Sequence, residues 1–217
     1  MDNVSQALVE ALENNKPVAL ATVVKTRGAS PRNPGAKMLV YPNGSIVGSV
    51  GGGEMEIFVE PLLVAPTLLL VGAGHVGAAC AQLAKFLGFH VVVLDDRPEF
   101  VTPENFPHAD ERIAGDIVAE IGKLEITPRT YVVFVTRAHT LDAALLGAII
   151  ENDAAYIGML GSQRRVLTVK KMLKEKGVSE ATLDRVHAPI GIEIHAETPQ
   201  EIAVSIMAEV IQAKRQK

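Results

Sequence analysis

The chain has 217 residues, 48% of them hydrophobic and 21% charged, with a formal net charge of −4 and a pI near 5.9. That composition excludes a disordered chain and provides no basic footprint for nucleic acid; Lys170-Lys171 and Lys214-Arg215 read as solvated helix faces. One cysteine excludes an intramolecular disulfide framework. Met1-Asp2-Asn3 opens without the basic and apolar regions of a signal peptide, and the apolar stretch at 61–74 is broken by Pro66, so no membrane association and a cytoplasmic location are expected.

Residues 1–63 read as a small α+β module. Val4, Ala7, Leu8, Ala11 and Leu12 recur at helical spacing, with Asn3 as cap and Gln6 at the third helical position, which predicts an amphipathic helix ending near Asn14-Asn15. Pro17 to Val24 has the pattern of a buried strand. Lys37–Tyr41 and Ser45–Gly48 form a hairpin turning at Asn43-Gly44, where both residue types tolerate positive φ. Glu54 to Glu60 alternates acidic and apolar residues, placing Met55, Ile57 and Val59 on one face of a half-buried strand. Two glycine-rich loops, Thr26–Lys37 and Gly48–Glu54, carry Arg27, Arg32, Lys37 and Ser49; they either wrap a phosphate or a pterin edge through backbone N–H groups or simply turn tightly. So small a module buries little core alone, so it is expected to pack on the second part or on another subunit, with a homodimer as the expected assembly.

Residues 64–217 read as repeated β and α elements. Thr67–Val71 is an apolar strand, Gly72-Ala73-Gly74-His75-Val76-Gly77 a glycine turn opening a helix, and Phe89–Leu94 a second strand ending in Asp95-Asp96. Gly72 allows the sharp turn, Gly74 close approach of backbone to a pyrophosphate, and Gly77 close packing of helix on sheet. Val76, Ala79, Cys80, Leu83, Ala84 and Leu87 fall on one helical stripe, which makes Cys80 a buried small hydrophobe. Asp95 follows Gly74 by 21 residues, where such a fingerprint expects an acid that hydrogen-bonds ribose hydroxyls. Further strands are expected at Glu111–Gly115, Tyr131–Thr136, Ala154–Met159 and Arg185–Ile190, with helices such as Leu141–Ile150 and Arg164–Leu173 between them. Thr198, Pro199 and Glu201 spell the start of a last helix: cap, first-position proline and capping box. The predicted fold is therefore α/β, a Rossmann-like parallel sheet with a small N-terminal α+β module.

Ligands of open parallel sheets bind beyond the carboxyl ends of the strands. The residues expected there to bind a cofactor are Gly72, Gly74, His75, Val76 and Gly77, then Asp95, Asp96 and Arg97, then Asp116, Arg137 and His139, and finally Gly161, Ser162, Arg164 and Arg165. Gly161-Ser162 opens a helix with two arginines in its first turn, which suits an anion unless those arginines pair with carboxylates instead. His139 is either a proton donor and acceptor or a hydrogen-bonded structural residue. His75, Cys80, His139 and His195 lack the spacing of a zinc site, so no metal is expected. NAD(P) is one expected ligand, with Asp95-Asp96 opposing a 2′-phosphate, and an NAD(P)-dependent oxidoreductase using His139 or Asp116 in proton transfer is one functional reading.

The motifs resemble, in order along nearly the whole chain, those of the XdhC/CoxI family, accessory proteins of xanthine dehydrogenase and related molybdenum hydroxylases. Thr26–Lys37 and Gly48–Gly53 resemble its N-terminal module. Val71–Gly77, Leu94-Asp-Asp-Arg-Pro-Glu-Phe100, Thr136-Arg-Ala-His139, Gly158-Met-Leu-Gly-Ser162 with Arg164-Arg165, and Ala188-Pro-Ile-Gly191 with Thr198-Pro-Gln-Glu201 resemble its Rossmann part. The resemblance implies a carrier that binds molybdenum cofactor (molybdopterin), protects it during maturation and hands it to an apo-molybdenum hydroxylase. The sequence departs from the family in three places. Glu54 follows the triple glycine where many members have cysteine, the stretch between the glycine-rich segments is shorter, and Gly191-Ile192-Glu193-Ile194-His195 has histidine where the family has its second glycine.

Overall fold

The computed structural model describes residues 3–14, 16–27, 33–62, 65–137 and 139–216, apart from the side chains of His139 and Thr140. The chain divides into two compact units, Met1–Ala65 and Pro66–Lys217.

In the smaller unit, helix α1 (Asn3–Glu13) precedes β1 (Val18–Arg27), β2 (Lys37–Val40), β3 (Ile46–Gly48) and β4 (Glu54–Leu62), which form an antiparallel sheet in the order β3-β2-β1-β4. The periodic face of α1 supplies Val4 and Ala11 to a small core with Val18 and Leu39. Asn3 begins the helix instead of capping it. The β2–β3 hairpin turns as expected: Gly44 takes φ of +82°, and the Asn43 side chain accepts from the Ser45 amide at 3.0 Å. The expected half-burial of β4 is not observed. Its position at the sheet edge leaves Ile57, Phe58 and Val59 exposed, because alternation buries a face only where a second layer covers it. Of the glycine-rich loop, Gly28 to Arg32 lie outside the described residues.

The larger unit begins with β5 (Thr67–Val71), α2 (His75–Phe86), β6 (His90–Asp95), β7 (Glu111–Ala114), α3 (Ile117–Ile121) and β8 (Thr130–Phe134). It continues with α4 (His139–Ile149), β9 (Tyr156–Met159), α5 (Gln163–Glu175), α6 (Glu180–Leu183), β10 (Val186–His187) and α7 (Pro199–Arg215). All six strands are parallel, in the order β10-β9-β8-β5-β6-β7, so the chain reverses its progress across the sheet between β5 and β8. That is the doubly wound order, with its crevice at the reversal.

Side chains alternate across the sheet, so both faces are apolar. Leu69, Val71, Val92, Leu94, Val132 and Phe134 meet α3, α4 and α5, whereas Leu68, Leu70, Val91, Val93 and Val133 meet α2 and α7. Cys80 is wholly buried in the second layer, where burial pushes its thiol up to about 12 and leaves it a packing group. The capping box of α7 forms as spelled: Thr198 accepts from the Glu201 amide and Glu201 accepts from the Thr198 amide. Only β10 is much shorter than expected, since Pro189 has no N–H to give the ladder.

The three glycines of the turn play separate parts. Gly72 has φ of +119°, and a Cβ there would lie 2.7 Å from the Val135 carbonyl oxygen. A Cβ on Gly77 would lie 2.3 Å from the Gly72 carbonyl oxygen, so helix and turn touch through bare backbone. Gly74 faces open space. Gly77→Ala is therefore expected to destabilise the protein by about 1–3 kcal/mol despite its better helix propensity, because backbone must move to admit the methyl. Gly74→Ala should stay within about 1 kcal/mol of the parent. Urea unfolding of both variants checks this, and equal losses would contradict the assignment.

Candidate functional site

A cavity of about 720 Å³ opens at the carboxyl ends of β5, β6 and β8, within the size range of small-ligand sites. Gly72, Ala73, Gly74 and His75 line it together with Asp95, Asp96, Arg97, Thr136 and Arg137. Gly74 is the N-cap of α2 and has no side chain to occupy the amides of the first turn, so those donors and the positive end of the helix face the cavity.

The two aspartates at the end of β6 have different tasks. Asp95 is buried and points back into the fold: it accepts from the Ala73 amide at 2.6 Å, from the Arg97 amide at 3.0 Å, and from Arg97 Nε and Nη2 at 2.8 and 3.0 Å. Burial raises this carboxyl, but the hydrogen bonds from the Arg97 side chain and the Ala73 amide, with smaller contributions from Asp96 and the Arg97 amide, outweigh it and bring the group from 3.8 down to about 2. Asp95 therefore clamps the glycine turn onto β6, and its acceptor sites are taken. Asp96 is half-exposed at the cavity rim, with Oδ1 3.7 Å from Arg97 Nε and 3.8 Å from Arg137 Nη2. The acid available to a ligand is the second of the pair.

Arg97 is fixed a second way, its guanidinium lying 3.9 Å above the Phe100 ring. Phe100, Asn105 and Phe106 form the wall contributed by the segment after β6. Asn105 braces it by donating to the carbonyls of Glu99 and Phe100, and Arg112 donates to that of Phe106. Residue spacing gave no role to Asn105 or Phe106; the available signal was an aromatic residue in an otherwise polar stretch between strands.

Other expected site residues lie elsewhere. Val76 and Gly77 pack toward the core, and Asp116 caps α3 by accepting from the amides of Val118 and Ala119. Ser162 caps α5 and accepts from the Arg165 amide, while Gly161 and exposed Arg164 do not line the cavity. Arg165 serves a buried carboxylate. Its Nε donates to Asp142 at 2.7 Å, and Nη2 donates to the Thr136 carbonyl and hydroxyl at 3.1 and 3.0 Å. The Thr136 hydroxyl donates to the other oxygen of wholly buried Asp142. Breaking such a pair costs about 3–5 kcal/mol, which holds Arg165 where it is and leaves Arg137 as the exposed cation of the rim. Asp142 had no sequence signal beyond being an acid in a first helical turn. The side chain of His139 lies outside the described residues.

Near the end of the sheet, His195 takes φ of +56°, a left-handed turn made without glycine. Among the described residues no group of three or more His, Cys, Asp or Glu is placed to hold a metal ion, and no helix is long and apolar enough to cross a membrane.

Because its carboxyl is lowered on folding, Asp95 stabilises the protein fully above about pH 4 and loses that contribution as pH falls toward 2. Asp95→Asn should cost about 2 kcal/mol at neutral pH, and the difference from the parent should shrink between pH 4 and pH 2. Unfolding curves across that range check it; a gap unchanged by acid would show that the charge is not what clamps the turn.

Comparison with known proteins matches this architecture. The model of the XdhC Rossmann domain covers residues 68–210, and that of the XdhC and CoxI family covers residues 11–59. The chain is 36% identical over 243 positions to "Uncharacterized protein YqeB" of Escherichia coli (strain K12), spanning 93% of this chain and 44% of that protein. It is 32% identical over 160 positions to a probable xanthine dehydrogenase subunit of Bacillus subtilis (strain 168), spanning 74% of this chain and 46% of that one. The chain thus spans less than half the length of the curated relatives it matches. Its fold also matches the crystal structure of a xanthine dehydrogenase from Bacillus halodurans, with a TM-score of 0.65, 22% identity and 96% of each chain covered. With the XdhC Rossmann domain matched over residues 68–210, well over half of its length, and the family's second module before it, the chain belongs to the XdhC and CoxI family.

Proposed function

We propose that this chain is an accessory factor of a xanthine dehydrogenase-type molybdenum hydroxylase, and that its Rossmann unit carries a phosphorylated ligand, molybdenum cofactor or a nucleotide, for delivery to the apo-hydroxylase. The observation that carries this is the open cradle at the reversal of the sheet: an uncapped helix N-terminus and an unobstructed Gly74 face one cavity, in a family related to xanthine dehydrogenase proteins.

The donor set fits a phosphate-bearing group. Amides of the Gly72–His75 turn and the Arg137 guanidinium suit the phosphate, and Asp96 suits neighbouring hydroxyls. The described cavity offers no thiolate, since Cys80 is in the core, so these residues would hold the organic, phosphorylated end and not the metal. Asp116, one of the two residues considered for proton transfer, caps α3 and is not among the residues that line the cavity.

The test is retention. Purified protein mixed with molybdopterin should carry pterin fluorescence through gel filtration or, if the ligand is a nucleotide, give a saturable calorimetric titration with NAD(H). Gly74→Val places a side chain in the open space beside the turn and should weaken binding by about 100-fold, while the fold survives. Pterin fluorescence confined to the small-molecule fraction, together with no heat from NAD(H), would overturn the proposal.

A further inference from the structure

We propose that Asp96 is the residue that selects among nucleotides, admitting a nucleoside diphosphate with a free ribose 2′-hydroxyl and excluding its 2′-phosphorylated counterpart. The inference rests on the nucleotide branch of the reading above and deepens it.

Two consecutive acids at the end of β6 place two negative charges where a ribose would sit. The structure removes one of them. Asp95 is neutralised by Arg97 and turned inward, so it neither accepts from a ligand nor repels one strongly. The rim then consists of a single available carboxylate, Asp96, between two guanidiniums: Arg97 on one side and Arg137 on the other. Both arginines line the same cavity as the amide cradle of the turn.

With Asp96 ionised the rim is close to balanced. Its carboxylate can accept from the 2′- and 3′-hydroxyls of a ribose, and it repels a dianionic phosphate at the same place. Without Asp96, Arg137 loses its acid and stands at the rim as a guanidinium able to bind a phosphate, while Arg97 stays bound to Asp95. One carboxylate thus decides between two ligand classes, and the arginine needed for the second class is already in position.

Calorimetric titration of the parent, Asp96→Ala and Asp96→Ala/Arg137→Ala with NAD+ and with NADP+ tests this, alongside molybdopterin retention by the parent. Asp96 and Arg137 are exposed, and unfolding curves confirm that the variants fold. The parent should prefer NAD+ by about tenfold or more; Asp96→Ala should weaken NAD+ about tenfold and strengthen NADP+ about tenfold; the double variant should lose that gain. Equal affinities in the parent, or an Asp96→Ala variant with the parent's preference, would overturn the inference while leaving the cradle intact. Retention of molybdopterin with no binding of either dinucleotide would overturn the inference and leave the accessory function standing. Failure of all three probes would remove both.

Discussion

The cavity depends on a carboxylate in its wall whose oxygens are all engaged by the protein itself. Asp95 joins the end of β6 to the turn after β5 through the Ala73 amide and anchors Arg97 by a bidentate bond. These contacts hold Gly72 to Gly74 in the course that directs the first-turn amides of α2 outward. A buried charge with this many donors is stable only while every partner remains, so the turn has one arrangement instead of several. Here rigidity belongs to function, because donors fixed before a ligand arrives cost less to order when it binds.

A second buried carboxylate does the same for the opposite wall. Asp142 on α4 is held by Thr136 after β8 and by Arg165 on α5, which ties three elements together below the rim. The pairing also determines which cations remain for a ligand. Arg165 is committed to the protein interior and Arg137 is not, although the two are equivalent as amino acids. Burial and partner count, not residue type, separate a structural arginine from an available one.

The smaller unit presents a different physical problem. Its two small core clusters are built from few residues, and its edge strand β4 shows Phe58 and Val59 to solvent among glutamates. Acidic residues along an exposed edge oppose uncontrolled strand pairing. The expected burial of this strand failed because period-two patterning states which side chains share a face, while whether anything covers that face depends on the rest of the assembly.

The amino-acid sequence by itself determined the family, the repeated βα organisation, the three-glycine turn, the hairpin at Asn43-Gly44 and the capping box at Thr198, since each is written in residues a few positions apart. Strand ends were legible too, and with them the neighbourhood of the cavity. Only the tertiary structure decided which polar residues in that neighbourhood are free. Asp95 and Asp96 are adjacent in the chain, yet one faces an amide 22 residues away and the other faces the cavity. Arg165 stands beside Arg164 and finds its acid 23 residues earlier. Local spacing fixes where a side chain begins; the contacts that saturate it come from segments brought close by folding, and those contacts settle its role.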